Sequence, residues 1–222
     1  MIVMSKKYRI RLLAVISLLT ITCYYYAGHI AEIYVVKHPV GHSRLKESPA
    51  QPREVVTIGG QIYEVKAPWL GHTIEGDFDP ARMDLVRLPV ELVFENRNIY
   101  VTRETREAFV RMAEAAASDG VELMVDSGYR SAAYQQKIFQ RKMASGDDFY
   151  DIARWVAPPG YSEHMMGTTL DLVPSNWTFS GIPADRWLQE NGGEFSFTQT
   201  YPQESHSGFS WEPWHWKYTG DS

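Results

Sequence analysis

Hydrophobic and polar positions follow different patterns along this chain. Near the N-terminus, Lys6, Lys7, Arg9 and Arg11 precede an uncharged run from Leu12 to Gly28, LLAVISLLTITCYYYAG. At 17 residues the run is near the lower limit for spanning a bilayer and slightly long for the apolar part of a signal peptide. A cut after Ala27 would put Tyr25 where a small side chain is wanted, which favours an uncleaved anchor over a cleaved signal. Tyr24, Tyr25 and Tyr26 would sit at the outer interface, with the basic residues inside and the bulk of the chain outside.

From His29 to about Gln51 no periodicity is evident, and the segment reads as a juxtamembrane stalk. Glu54 to Val65 has the pattern of a hairpin with Gly59-Gly60 at its turn. Leu92 to Val101 is rich in strand formers. Thr102 opens a helix, with Thr105 as another possible cap, and Ala108, Met112 and Ala115-Ala116 form its apolar stripe up to Gly120. Val121 to Val125 predicts a short strand leading into Ser127-Gly128-Tyr129-Arg130, and Ser131 to Met143 a second helix. The organisation expected is a cytoplasmic basic segment over 1–11, a membrane anchor over 12–28, a stalk or linker over 29–70 and a globular domain over 71–222.

Charge narrows the partners. The 222 residues carry a net charge of −5, with 22 basic and 27 acidic side chains. The four basic residues before the apolar run leave 18 against 27 for the remainder, or −9. An acidic body lacks the basic face that phosphate binding needs, so nucleic acid is not expected as a partner. Cys23 is the sole cysteine, so no intrachain disulfide forms.

Two constellations carry candidate metal chemistry. In Ser162-Glu163-His164-Met165-Met166-Gly167-Thr168-Thr169-Leu170-Asp171, the histidine and the aspartate are seven residues apart. On one helix they would lie about 10.5 Å apart along the axis, too far to share an ion. The chain must fold back between them, and Gly167 is able to make that bend. Asp171, among Leu170, Leu172 and Val173, reads as an inward carboxylate on a buried strand, for which a metal is a good partner. A structural aspartate beside a surface histidine fits the same spacing.

In Glu212-Pro213-Trp214-His215-Trp216, a tight turn would bring Glu212 beside a metal held by His215 without binding it. That is where a general base for a metal-bound water belongs. A packed core histidine is the alternative for this tetrad alone. Together the two stretches offer two His and one Asp with an open fourth position, a donor set that suits zinc. Arg130, after a strand, would place a planar cation where a peptide carboxylate or an oxyanion can be held; a solvent-facing arginine at a helix start is the alternative.

Ser-Gly-Tyr-Arg-Ser at 127–131 with Gln135, Ser-x-His-x-x-Gly-x-x-x-Asp at 162–171 and Glu-Pro-Trp-His at 212–215 occur in one order over roughly residues 85–220. In this the chain resembles the VanY-like zinc D-alanyl-D-alanine carboxypeptidases of bacterial cell walls. The resemblance implies a small α+β domain with an antiparallel sheet and flanking helices. It implies zinc ligands His164, Asp171 and His215, Glu212 as catalytic base and Arg130 polarising the scissile carbonyl. Ser131, Gln135 and Ser162 would contact the peptide end.

The substrate implied is a peptidoglycan stem peptide that loses its C-terminal D-alanine. With the anchor, this predicts a single-pass protein of the bacterial cytoplasmic membrane, its zinc carboxypeptidase domain facing the periplasm or cell exterior. One position departs from the family pattern: Thr169 stands where its members usually have alanine. An L,D-carboxypeptidase of the same family, a zinc endopeptidase and a non-catalytic wall-binding module are the rival readings. The endopeptidases' His-x-His pair is missing at His215-Trp216-Lys217, and a binding module would be expected to have lost Glu212 or a ligand.

Overall fold

The computed structural model describes residues 53–204 and 208–220. The expected basic segment, the anchor and the stalk up to Pro52 lie outside the described residues. Among the described residues no helix is long and apolar enough to cross a membrane.

Strands β1 (Val55–Ile58) and β2 (Gln61–Glu64) form the expected hairpin, pairing Val55 with Glu64 and Ile58 with Gln61 around Gly59-Gly60. Strands β3 (Leu85–Arg87) and β4 (Tyr100–Thr102) make a second antiparallel pair. Most of the strand expected over Leu92–Val101 is replaced by single 3-10 turns at Val90–Leu92 and Phe94–Asn96. Glu95 and Asn96 take φ of 54° and 53°, a left-handed conformation that ends an extended run. Helix α1 (Arg103–Ser118) starts where Thr102 accepts a hydrogen bond from the Thr105 amide, so Thr102 is the cap and Thr105 is buried one turn in. Strand β5 spans Val125–Ser127, later than the predicted 121–125, because pairing to its neighbour begins only at Val125 opposite Leu172.

Ser131 caps α2 (Ala132–Ala144), accepting from the Tyr134 amide at 3.1 Å, and α3 (Phe149–Ala153) follows. Strand β6 (Thr169–Leu172), helix α4 (Pro183–Asn191), β7 (Phe197–Gln199) and β8 (His215–Tyr218) follow. The main sheet runs β5-β6-β8-β7 and is antiparallel throughout. This is the α+β class expected, with small antiparallel sheets and flanking helices.

Two apolar clusters hold these elements. In the larger, Phe109 and Met112 of α1 and Leu188 of α4 pack with Leu170, Leu172 and Trp216 of the sheet. In the smaller, Val56, Ile58 and Trp69 pack against Phe139 of α2 and Phe149 and Ile152 of α3. This corrects the linker boundary at residue 70, because residues 53–70 belong to the folded body. Each fully buried aliphatic side chain such as Ile58 contributes roughly 1.5–3 kcal/mol, which a solvated stalk would forgo. Polar bonds fasten the same segment. Gln136 Nε2 donates to the Thr57 carbonyl at 2.9 Å, and the Tyr161 hydroxyl donates to Glu54 at 2.8 Å.

Candidate active site

The fold-back between His164 and Asp171 has the required form. Residues Glu163–Met166 make a 3-10 turn that ends on Gly167 at φ 69°. A Cβ at 167 would meet the Leu85 and Thr102 side chains at 3.0 and 3.2 Å, so glycine suits both the conformation and the space. The Thr102 amide donates to the Gly167 carbonyl at 2.9 Å, fastening the bend to the start of α1. The chain then enters β6, whose four residues are all buried.

Asp171 on β6 and His215 on β8 are direct cross-strand partners, so their side chains leave the sheet on one face. His215 follows the predicted turn, its amide donating to the Glu212 carbonyl at 3.1 Å. The turn sets Glu212 Oε2 3.5 Å from His215 Nδ1. One ligand atom each from His164, Asp171 and His215 lie within 4.8 Å of one another, and all three residues are buried.

The hydrogen bonds decide which atoms are free to bind a cation. His164 Nδ1 is 2.6 Å from the Gly128 carbonyl, which only accepts, so Nδ1 carries the proton. That carbonyl can approach because residue 128 is glycine; a Cβ there would lie 2.7 Å from the Tyr100 carbonyl oxygen. Nε2 is left as a buried lone pair, 3.1 Å from Asp171 Oδ2, with no proton to donate. Burial, helped by the Arg130 guanidinium, lowers the His164 pKa to about 4 and keeps the ring neutral. Burial pushes the Asp171 carboxyl up, but the two histidines outweigh it and hold the group well below its ordinary value.

Two acceptors facing each other without a proton between them are the donor side of a metal site. Two nitrogens and a carboxylate oxygen fit zinc. Burial opposes charging His215, but Asp171 and Glu163 outweigh it and raise its pKa to about 10, so a proton competes with a cation for this ring.

The three residues stand at a cavity of about 150 Å³ that Arg130, Gln135, Ser162 and Glu212 also line. Arg130 Nη2 is 3.6 Å from Asp171 Oδ2. Gln135 is 1 % exposed; its Nε2 donates to the Ala157 carbonyl at 2.8 Å while its Oε1 has no partner among the described residues. Burial raises the Glu212 pKa to about 7, with Asp171 and Glu163 adding to the rise and His215 and Arg130 opposing it.

Ser131, expected at the peptide end, has a second role. It caps α2 and lines a neighbouring depression with Tyr129 and Tyr134, outside this cavity. Trp69, Trp155, Trp214 and Tyr201 also line the cavity. Glu163 joins the site through partners distant in the chain. Its Oε2 lies 3.1 Å from His215 Nε2, and its Oε1 accepts from Lys217 Nζ at 2.9 Å.

Two buried histidines and a buried aspartate, with a second carboxylate, Glu212, beside them, make a cluster that could hold one metal ion of the hydrolytic type. The family model for VanY, D-alanyl-D-alanine carboxypeptidase, matches residues 98–221, and the chain belongs to this family. A D-alanyl-D-alanine carboxypeptidase of Enterococcus faecalis is 38% identical over 117 residues, 48% of this chain and 44% of that protein. The chain spans about half the length of the curated relatives it matches.

Among solved structures, the LdcB LD-carboxypeptidase superposes with a TM-score of 0.60 at 28% identity, over 76% of this chain and 85% of that one. A glutamate-to-alanine variant of the D,D-pentapeptidase VanY from the VanB-type resistance cassette, in complex with Zn(II), gives a TM-score of 0.51 at 29% identity. It covers 67% of this chain and 83% of its own.

Proposed function

We propose that this protein is a zinc D,D-carboxypeptidase that removes the C-terminal D-alanine from peptidoglycan stem peptides. The observation that carries the reading is the convergence of His164, Asp171 and His215 within 4.8 Å, with Glu212 beside them. The activity named for the Enterococcus relative and the Zn(II) complex of the related VanY support it.

His164 Nε2, an Asp171 carboxylate oxygen and His215 Nδ1 would hold the ion. Zinc bound there supplies Lewis acidity, lowering the pKa of a bound water toward ~7. Glu212 accepts the proton of the attacking water and passes it to the leaving amine of D-alanine. The amide C–N bond breaks as the new C–O bond forms, and the proton ends on the released amino group. Its raised pKa suits a group that must both take and give a proton near neutrality. The Arg130 guanidinium on the cavity wall stabilises the negative charge that gathers on the carbonyl oxygen. Gln135 Oε1 and Ser162 offer polar contacts for the peptide end. No side chain is acylated in this sequence.

A second reading, an L,D-carboxypeptidase acting on tetrapeptide stems, is favoured by the likeness to LdcB. Mass spectrometry of stem pentapeptides and tetrapeptides after incubation with the purified protein separates the two. Loss of one alanine from the pentapeptide alone supports the D,D reading, and loss from the tetrapeptide alone contradicts it.

We also infer that residues 12–28 anchor the chain in the cytoplasmic membrane with the catalytic domain outside. Support comes from the four basic residues before the uncharged run. A reporter fused after Ser222 that is active only in the cytoplasm would contradict this topology.

A further inference from the structure

We propose that Glu163 is a positioning residue that sets the orientation and tautomer of His215, and through them the affinity of the site for its metal. The proposal rests on the zinc reading above. Glu163 belongs to the turn that carries His164, while its side chain reaches across to β8. There one oxygen meets His215 Nε2 at 3.1 Å and the other accepts from Lys217 Nζ at 2.9 Å. His215 and Lys217 are two apart on one strand, so their side chains leave β8 on the same face. The carboxylate therefore braces the turn holding one ligand against the strand holding another.

The chemistry is directional. A carboxylate paired with an ammonium only accepts, so the ring proton of His215 belongs on Nε2. Nδ1, the other ring nitrogen, is then the one left to a cation, 3.1 Å from Asp171 Oδ1 and 3.5 Å from Glu212 Oε2. His164 is held in the reverse sense, Nδ1 against the Gly128 carbonyl with Nε2 free. Each histidine thus has its non-ligating nitrogen fixed, one by backbone and the other by the Glu163 side chain. Such outer partners of metal-bound histidines typically account for ~10–100-fold in metal affinity.

The test uses the full-length protein and has two arms. Zinc affinity is measured by competition with a chromophoric chelator for wild type, Glu163→Ala, Glu163→Gln and Lys217→Met. Glu163→Ala is expected to bind zinc ~10–100-fold more weakly. Glu163→Gln, whose amide oxygen can still accept from Nε2–H, should recover part of that loss. Lys217→Met, which leaves the bond to His215 in place, should lose less than Glu163→Ala.

The second arm needs no variant. Ring ¹⁵N shifts of His215 in zinc-loaded wild type should show the single ring proton on Nε2, shared with Glu163. A neutral ring protonated on Nδ1, or a folded Glu163→Ala that binds zinc as wild type does, overturns the proposal. A wild type that binds no zinc overturns the metal reading itself, so the two failures are distinguishable.

Discussion

Asp171 and His215, 44 residues apart in the chain, face each other across β6 and β8 with Oδ1 and Nδ1 3.1 Å apart. The pairing register of two adjacent strands therefore sets the spacing of two proposed ligands. A slip by one residue would send either side chain to the opposite face of the sheet. The third, His164, is delivered by the left-handed bend at Gly167.

Metal binding should be coupled to stability. If the native state holds zinc at these residues, a chelator lowers the melting temperature, and added zinc restores it by mass action. His215→Ala should lose most of the bound metal. Full zinc occupancy in that variant, measured by elemental analysis, would rule out the ligand assignment.

Glu212 predicts a pH effect of known sign. Its pKa is raised from 4.5 to about 7 in the folded protein. Its stabilising contribution is therefore fully present below 4.5 and is lost as pH rises through about 7. In zinc-stripped protein, Glu212→Gln should gain melting temperature relative to wild type at pH 8 and show little gain at pH 4.5. A gain confined to the lower pH would contradict the placement of this carboxyl.

Thr169 predicts a gain in stability without a change in chemistry. Its side chain is fully buried, and its hydroxyl has no hydrogen-bond partner among the described residues. Thr169→Ala removes that unpaired group, which typically costs ~1–3 kcal/mol, against a small loss of packing. Denaturant unfolding should show a higher midpoint, with zinc content unaltered. A loss above about 2 kcal/mol would show that packing of the methyl group outweighs the hydroxyl.

The segment before residue 71 offers a test of its own. Trp69 is buried in the smaller cluster and donates from Nε1 to the Ala153 carbonyl at 2.6 Å. Trp69→Ala should destabilise the folded body by about 3–5 kcal/mol, read from the urea midpoint. A residue of a free stalk would leave that midpoint unchanged.

Much of the arrangement was legible locally because it depends on local chemistry. Gly59-Gly60 marks a hairpin, Thr102 and Ser131 sit at helix starts, and Gly167 is the one residue between His164 and Asp171 suited to a left-handed bend. What escaped depends on distant partners. The alternation in Val55–Ile58 shows one buried face, but the covering residues Phe139 and Phe149 lie some eighty and more positions away. The β-rich stretch before Val101 has the composition of a strand, yet only Tyr100–Thr102 finds a partner strand. Glu163 looks like an ordinary charge beside His164 until β8 brings His215 and Lys217 to it. Ser131 matches a substrate-contact position by sequence, and its hydroxyl also accepts from the Tyr134 amide at the start of α2.

The most direct test measures D-alanine release from a stem pentapeptide beside zinc content, for wild type and Glu212→Gln. Arg130→Ala serves as a comparison, expected to weaken both binding and turnover. Wild type should release D-alanine with about one zinc per chain. Glu212→Gln should keep the zinc and the fold while turnover falls by ~10²–10⁴-fold, the usual loss on removing a general base. Wild-type turnover by Glu212→Gln with zinc bound, or no D-alanine released by the zinc-loaded wild type, would contradict the account.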